Sequence, residues 1–429
     1  MAMIKVFLLM GLGALAFPLW SQPQNIKIAG PFSSGLGPCE PSITINPRNP
    51  ANQVVGSILD QVYYSLDSGR TWQRDTLRSP YGVWGDPVVI TDEFGLHYYF
   101  HLSDPTGRNW ASDEILDRIV VQRSDDSGRT WSPGTYAGYH PPKDQDKHWA
   151  VYDPYRKALY LSWTQFDAYG SPDPLDRSNV LFSRSLDSGR TWSEALDISA
   201  VDGNCLDGDS TTEGAVPAVG PNGELYVAWS NQNTIFFNRS LDGGASWLDR
   251  EDSVARHYGG WEIEIAGLNR SNGMPVTACD RSPGPFRGRL YIQWVDHRAG
   301  HYDLWLIHSD DQGNTWSAPR RINDDSTKAD QFLSWLCIDQ STGYLYAVFY
   351  DRRHYQDTRT DVYLAQSRDG GATWLNQSIS AKPFKPVSRV FFGDYNHISA
   401  ENGVVRPVWT RYDPEEGLSI WTALLYFQP

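Results

Sequence analysis

The sequence predicts an all-β fold, a seven-bladed β-propeller built from four-stranded antiparallel blades. The first observation is an eight-residue phrase, Ser-x-Asp-x-Gly-x-x-Trp, that recurs along the chain. Its copies are Ser65–Trp72, Ser124–Trp131, Ser185–Trp192, Ser240–Trp247, Ser309–Trp316 and Ser367–Trp374. A period of this length, with strand-rich sequence and no helical pattern between copies, is typical of small sheets repeated around an axis. The second observation is a recurring strand pattern ahead of the copies.

Each copy has the chemistry of a tight turn between two strands. The Asp carboxylate can accept backbone N–H bonds, the Gly can take a positive φ, and the Trp begins the next strand and buries its ring. From Ser65 to about Trp374 the phrase resembles the Asp box of sialidases and related propellers. In that family the boxes lie on the face away from the active site. The resemblance therefore implies a structural role for all six copies.

The segments between the copies alternate at period two, as strands with two different faces do. These segments are Leu96–Phe100, Leu159–Trp163, Leu225–Trp229, Leu290–Trp294 and Leu345–Phe349. Several follow a turn and a shorter strand, such as Ala215–Val219 or Phe332–Ile338. Each unit is therefore predicted to run in the order inner strand, turn, middle strand, loop, third strand, Asp box, outer strand.

Two further units, one at each end of the chain, bring the predicted number of blades to seven. Their strands are Pro41–Asn46 and Gln53–Leu59 in the first unit, and Asn396–Ala400, Val404–Thr410 and Leu418–Phe427 in the last. The last unit ends before any box. We expect Asn25–Ala29 to supply its missing outer strand and so to close the ring. A six-bladed ring, as in the sialidases themselves, is the alternative.

The N-terminus has the layout of a secretory signal peptide over residues 1–21. Lys5 is followed by the apolar run Val6–Phe17, and cleavage is expected near Ser21. The run is too short to span a bilayer, and no later segment is long and apolar enough. Residues 22–429 are then one propeller domain, and the predicted location is secreted, periplasmic or at the cell surface.

Composition excludes some partners. The formal net charge is −14 and the pI about 5.1, and no basic run offsets this charge, which argues against nucleic acid and anionic membranes. The cysteines are Cys39, Cys205, Cys279 and Cys337. Their spacing does not fit a metal site, and three disulfide pairings are open. No cofactor is predicted; an acidic rim suits Ca²⁺, but no ordered loop of alternating acids marks a calcium site. A monomer is expected.

Topology narrows the search for a functional site. If strands alternate in direction, the starts of inner strands and the ends of middle strands meet on one face near the axis. Acids precede six of the seven inner strands, namely Glu40, Asp86, Asp146, Glu213, Asp330 and Asp394. After the middle strands of the last three units come Arg298, Arg352 and Arg411. This face is therefore predicted to hold crowded carboxylates opposite an arginine cluster.

Crowding raises the pKa of a carboxyl group, which suits a general acid, and arginines bind a carboxylate or sulfate bidentately. We therefore predict catalytic roles for Glu213, Asp86, Asp394 and the neighbouring Tyr395. The predicted substrate-binding residues are Arg298, Arg352, Arg411 and the aromatic Trp149. No metal ligands are predicted.

The resemblance implies a similar set of residue types. Sialidase-like enzymes use three arginines on the substrate carboxylate, a tyrosine nucleophile paired with a glutamate, and an aspartate as acid/base. The Arg-Ile-Pro segment of that family is absent here, where the first unit reads Cys39-Glu-Pro-Ser-Ile, so the catalytic candidates come from position alone. The resulting hypothesis is a secreted glycoside hydrolase acting on an acidic sugar, with a glycan or glycoconjugate as partner. The alternatives are a non-catalytic glycan- or protein-binding propeller and a structural module of a surface assembly.

Overall fold

The computed structural model describes residues 23–31 and 37–428. Within these residues the chain forms seven four-stranded antiparallel sheets arranged in a ring, so the predicted seven-bladed propeller is confirmed and the six-bladed alternative is wrong. The predicted signal peptide, residues 1–21, lies outside the described residues. The predicted boundaries of the single domain, 22–429, also stay a prediction.

The strands follow the predicted order of inner, middle, third and outer strand in each blade, and β1 is Gln24–Ala29. Blade 1 contains β2 (Ser42–Ile45), β3 (Gln53–Ser57), β4 (Gln61–Ser65) and β5 (Gln73–Thr76). Blade 2 contains β6 (Val88–Thr91), β7 (His97–Leu102), β8 (Ile119–Ser124) and β9 (Thr135–Ala137). Blade 3 contains β10 (Asp144–Asp153), β11 (Ala158–Phe166), β12 (Ser178–Ser185) and β13 (Leu196–Asp197).

Blade 4 contains β14 (Glu213–Val219), β15 (Leu225–Asn231), β16 (Thr234–Ser240) and β17 (Asp252–Arg256). Blade 5 contains β18 (Val276–Cys279), β19 (Leu290–Asp296), β20 (Asp303–Ser309) and β21 (Arg320–Arg321). Blade 6 contains β22 (Gln331–Asp339), β23 (Tyr344–Asp351), β24 (Asp361–Ser367) and β25 (Leu375–Ser378). Blade 7 contains β26 (His397–Glu401), β27 (Val404–Asp413), β28 (Gly417–Tyr426) and β1. A short 3-10 helix spans Asn109–Ala111.

The strand register separates the two faces of the ring. In blade 3, Asp144 at the start of the inner strand pairs with Phe166 at the end of the middle strand, whereas Leu159 pairs with Ser185 of the Asp box. We call the face with the inner-strand starts the top face and the opposite one the box face. A site on the top face is therefore separated from the boxes by the length of the strands.

The N-terminal strand closes the ring as predicted. β1 pairs antiparallel with β28, with Asn25 opposite Ala423 and Lys27 opposite Trp421. Asn25 also reaches blade 6, where its Nδ2 donates to the Ile379 carbonyl (2.8 Å) and its Oδ1 accepts from the Ala381 amide (2.7 Å). The strand thus completes one blade and attaches it to the blade before.

The Asp boxes are hydrogen-bonded turns. In blade 3 the Ser185 hydroxyl donates to Asp187 Oδ1 (2.8 Å) and accepts from the Gly189 amide (2.8 Å), and Asp187 also accepts from the amide and hydroxyl of Thr191. Burial acts to raise the pKa of Asp187, but bonds from Thr191, Ser185 and the Arg190 amide hold it at about 2. Ser-to-Asp and Gly-to-Ser bonds recur in all six boxes.

The boxes also join neighbouring blades, through contacts that turn chemistry alone does not explain. A Cβ on Gly244, in the box of blade 4, would lie 2.4 Å from the Phe182 ring of blade 3. A Cβ on Gly313 would approach Phe237 of blade 4 equally closely. The Trp247 ring packs edge-on against Phe182 at a centroid distance of 4.9 Å. The box glycine is therefore needed for its positive φ and for the close approach of two blades.

Large aromatic side chains fill the blades. The middle strands bury Trp163, Trp229, Trp294 and Trp409 almost completely. The four cysteine thiols are all unpaired, so none of the three disulfide pairings forms.

Replacing Gly244 by Ala tests the contact between blades. Gly244 has a φ of +81° and Gly300 a φ of +84°, but nothing lies within 4 Å of a Cβ built on Gly300. Both substitutions strain the backbone, and Gly244→Ala should cost about 1–3 kcal/mol more because it overpacks against Phe182. Urea unfolding of the two variants measures the difference. Equal losses of stability would show that the box contact is not tight.

Removing β1 tests the ring closure. A chain that begins at residue 30 should melt several degrees below one that begins at Pro23, because the edge of β28 and the bonds of Asn25 are lost. The exposed edge should also promote association, measured by light scattering. Superimposable melting curves and scattering would contradict the structural role of β1.

Candidate functional site

The top face has a cavity of about 250 Å³ at the axis, which we call the axial pocket. Charged side chains from several blades line it, namely Glu40, Asp86, Asp146, Lys147, Arg270 and Asp394. The rest of the lining is mainly aromatic and apolar, with Ile58, Leu59, Trp84, Leu102, Trp110, Leu116, Tyr169 and Phe391. The predicted position of a site at the inner-strand starts therefore coincides with a cavity.

Strained backbone places three of the charged residues. Glu40, Asp86 and Lys147 each lie two residues before the point where the inner strand pairs in register, and their φ values are +54°, +49° and +49°. A left-handed conformation costs a non-glycine residue about 1 kcal/mol or more, and such residues cluster at functional sites. Five of the seven blades have a left-handed residue at this position, including Gly214 and Leu333.

Two cations hold Asp394 at the centre of the pocket. Lys147 Nζ lies 2.7 Å from Asp394 Oδ2 and 3.5 Å from Asp86 Oδ2. Arg270 donates from Nε to Asp394 Oδ1 (2.8 Å), contacts the same carboxylate through a second nitrogen, and reaches Asp207 Oδ2 at 2.9 Å. Burial alone would raise the pKa of Asp394, but Arg270 and Lys147 hold it below its usual range. Asp394 is therefore ionised.

Two carboxyl groups near Asp394, those of Glu40 and Asp146, have raised rather than lowered pKa values. Burial, then the charges of Asp86 and Asp394, raise the pKa of Glu40 well above its usual range. Burial also raises the pKa of Asp146 to about 7 against the opposing effect of Lys147, whose amide donates to Asp146 Oδ1 at 2.7 Å. The pocket thus combines an ionised carboxylate, Asp394, with neighbouring carboxyl groups whose pKa values are raised, an arrangement that suits acid–base chemistry.

The predicted catalytic residues are only partly gathered in the pocket. Asp86 and Asp394 line it. Tyr395 lies buried beside Asp394, where its hydroxyl donates to the Pro87 carbonyl at 3.3 Å. Burial raises the pKa of Tyr395 well above its usual range. Glu213 is fully buried, and neither carboxylate oxygen has a hydrogen-bond partner among the described residues.

Burial raises the pKa of Glu213 as well, and Asp207 and Asp146 add to the effect. Glu213 is not among the residues that line the pocket. The catalytic roles of Glu213, Asp86, Asp394 and Tyr395 stay predictions.

The structure does not assemble the predicted arginine cluster. Arg298 pairs with Asp296 (2.6 Å) and Arg411 with Asp413 (2.6 Å), in both cases a carboxylate two residues away. Arg352 is buried and donates from Nε to the Thr360 hydroxyl at 3.1 Å. None of the three lines the axial pocket. Local ion pairs have taken up the guanidinium groups of Arg298 and Arg411, whereas Arg352 has a buried nitrogen, Nη2, with no hydrogen-bond partner among the described residues.

Trp149, the predicted aromatic ligand contact, does not line the pocket. Its ring centroid is 4.1 Å from that of Trp335, and it stacks on His397 at 5.8 Å. Trp149 is 3% exposed. It packs into the centre of the ring with these two residues rather than presenting a face to solvent.

Lys147 and Arg270 are the two cationic residues of the pocket that the sequence reasoning missed. Lys147 directly follows Asp146 at an inner-strand start, so its position was a usable signal. Arg270 lies in the loop between β17 and β18, and no pattern in the sequence marks it. Among residues 23–31 and 37–428, no group of three or more His, Cys, Asp or Glu is arranged to hold a metal ion. The same residues contain no helix long and apolar enough to cross a membrane.

Comparison with known proteins shows a distant similarity in sequence. No family model matches the chain. Over 356 residues the chain is 22% identical to the xyloglucanase Xgh74A of Acetivibrio thermocellus, with 74% of this chain and 36% of that protein covered. The chain thus spans about a third of the length of this curated relative.

Similarity in structure covers more of the chain. An ulvan lyase superposes with a TM-score of 0.54 and 13% identity over 94% of this chain and 96% of the lyase. The NanB sialidase of Streptococcus pneumoniae superposes with a TM-score of 0.50 and 11% identity, over 79% of this chain and 68% of the sialidase chain. YCF48 bound to a D1 peptide superposes with a TM-score of 0.50 and 12% identity, over 95% of this chain and 96% of YCF48. At these identities the similarity shows the propeller fold, and the predicted likeness to sialidase-type propellers is confirmed at that level.

The raised pKa of Asp146 predicts a dependence of stability on pH. The folded value is about 7, whereas an unfolded Asp titrates near 3.9. This carboxyl therefore favours the folded state at acid pH, and its contribution is lost as the pH rises through about 7. Asp146→Asn should show a smaller fall in Tm between about pH 4.5 and 8 than the parent chain. The exposed Asp357→Asn is the control, and parallel curves for Asp146→Asn and the parent would contradict the assignment.

Proposed function

We propose that this chain is an exported glycoside hydrolase with the axial pocket as its active centre. The observation that carries the proposal is the presence, in one pocket, of two carboxyl groups in different surroundings: Asp146 is buried and has a pKa raised to about 7, whereas Asp86 is partly exposed beside Lys147. Glycoside hydrolysis needs such a pair, because one carboxyl group must protonate the leaving oxygen while another acts as base or nucleophile.

The proposal gives each charged residue of the pocket a role, based on its burial and contacts. Asp146, with a pKa of about 7, is the general acid. Asp86 is the base or nucleophile, since its side chain is 14% exposed while that of Asp394 is fully buried. Asp394 is the fixed negative charge that positions Lys147 and Arg270. Because the transition state is oxocarbenium-like, the positive charge that develops on the sugar ring is stabilised by the Asp86 carboxylate, while both cations stay paired with Asp394.

The charge balance of the pocket bears on the substrate. The proposal of an acidic sugar depended on Arg298, Arg352 and Arg411, which do not line the pocket. Unlike them, Arg270 lines the pocket, and its side chain is 37% exposed. However, Arg270 is already paired with Asp394 and Asp207, so it is poorly suited to bind an anionic group of a substrate. A neutral sugar needs no unpaired cation and can donate its hydroxyls to the carboxylates. We therefore favour a neutral glycan and keep the acidic sugar as the competing substrate.

The comparisons support the carbohydrate-active part of the proposal at a coarse level. The xyloglucanase similarity, and the ulvan lyase and sialidase that share the fold, are proteins whose names describe action on glycans. Export is supported by the signal-like residues 1–21. A non-catalytic binding propeller is the second candidate, favoured by the full pairing of Asp394 and by the peptide-bound YCF48.

A substrate screen with active-site variants tests the function. The purified chain should release reducing sugar from at least one of xyloglucan, arabinan, a polyuronide or a sialylated glycoprotein. Asp86→Asn and Asp146→Asn should each lower kcat by about 10²–10⁴-fold and leave the affinity for that substrate nearly unchanged. Asp167→Asn, at a rim carboxylate paired with Lys143, should retain activity.

The outcomes separate the alternatives. Hydrolysis of the uronide or sialoside alone would favour the acidic sugar over the neutral one. Binding without hydrolysis of any substrate would exclude the hydrolase and favour the binding propeller.

A further inference from the structure

An aromatic strip leads from the axial pocket to the outer surface of the top face. It consists of Trp84, Tyr169 and Trp110, all of which line the pocket. The Trp110 ring stacks on Tyr169 with centroids 5.5 Å apart and an interplanar angle of 26°. Trp84 meets Trp110 edge-on at 6.2 Å. Trp84 and Tyr169 are partly buried, whereas Trp110 is 57% exposed.

The strip is attached to the polar groups of the pocket. The Tyr169 hydroxyl donates to Asp207 Oδ2 at 2.6 Å, and the same oxygen accepts from Arg270 at 2.9 Å. Arg270 in turn binds Asp394. A ligand that lies on Trp110 would therefore be one aromatic ring away from the charged centre.

The loop that carries Trp110 is held in place. Residues 103–118 join β7 to β8, a connection longer than most loops between adjacent strands. Ile115 and Leu116 of this connection are buried, and the Leu116 carbonyl accepts from the Gln145 amide of blade 3 at 2.7 Å. Asp104 Oδ2 accepts from the Asn109 amide at 3.0 Å and fixes the start of the 3-10 helix.

A fixed, exposed tryptophan needs an explanation outside folding. Stacking on Tyr169 covers part of the Trp110 ring, but 57% of the residue remains exposed to water, and an exposed aromatic side chain on an ordered loop is typical of a binding element. The face of a sugar ring is lined by C–H groups and its edge by hydroxyls. It therefore matches a flat aromatic ring beside polar side chains.

We propose that Trp110 forms an outer subsite that binds the sugar residue next to the one held in the axial pocket. The inference rests on the proposed function for the identity of the ligand as a glycan. The pocket, at about 250 Å³, is smaller than the roughly 300–1,000 Å³ of sites that enclose a drug-sized ligand. A longer ligand must extend over the rim, where Trp110 lies. The substrate is therefore an oligosaccharide or polysaccharide rather than a single sugar on a non-sugar group.

Trp110→Ala, Trp110→Phe and Phe94→Ala are the test variants. Phe94 is a matched control, because its ring is 54% exposed but lies in the turn between β6 and β7 on the box face. Affinity is measured by electrophoresis in gels containing xyloglucan, arabinan or a polyuronide, and rates are measured on these polymers and on 4-nitrophenyl monosaccharide glycosides. Trp110→Ala should weaken polymer binding by about 10-fold, and Trp110→Phe should restore most of it. Phe94→Ala should bind as the parent does.

Each outcome separates this inference from the proposed function. Polymer binding that is unchanged in Trp110→Ala overturns the subsite, whatever the Asp86 and Asp146 variants show. Hydrolysis of monosaccharide glycosides without binding of any polymer also overturns it, while the hydrolase stands. Polymer binding that depends on Trp110 but is not followed by hydrolysis supports the subsite and overturns the hydrolase.

Discussion

The structure depends on the close approach of each blade to the one before it. The box glycines mark this constraint, since a single Cβ at Gly244 or Gly313 would overlap an aromatic ring of the preceding blade. Because a ring must close, each of the seven blades has to meet its neighbour, and the last blade is completed by a strand from the other end of the chain. Small errors in blade packing would add up around the ring.

Closure of the ring also brings the charged side chains together at the axis. Seven inner strands converge there, and their first residues meet in a confined volume. Acids placed at these starts are forced together and lose solvent, which raises the pKa of Glu40, Asp146 and Glu213. A buried cluster of this kind is tolerable because Lys147 and Arg270 compensate the charge. Asp394, which both cations contact, stays ionised.

Competition between charged partners explains why Arg298 and Arg411 do not line the axial pocket. An arginine at the end of a middle strand has a carboxylate two residues away in both the Arg298 and Arg411 cases. Such a local partner costs little chain entropy to reach, so it wins over a distant shared ligand. Arg270 comes instead from a long loop that reaches inward to Asp394, far away in sequence. A contact of that range leaves no mark in a linear pattern.

The sequence by itself determined the repeat, the strand order within each blade, the closing strand and the face on which a site could lie. These properties follow from turn chemistry and period-two alternation, which are local. It also indicated that Asp86 and Asp394 lie on the lining of the axial pocket, because the start of an inner strand has a fixed position in the repeat; their catalytic roles stay predictions. Only the tertiary structure decided which cations reach the axis, that Glu213 and Trp149 are buried and do not line the pocket, and that Trp110 is exposed at its rim. Those outcomes depend on loop paths and on competition between charges in three dimensions, and neither is encoded at a fixed spacing along the chain.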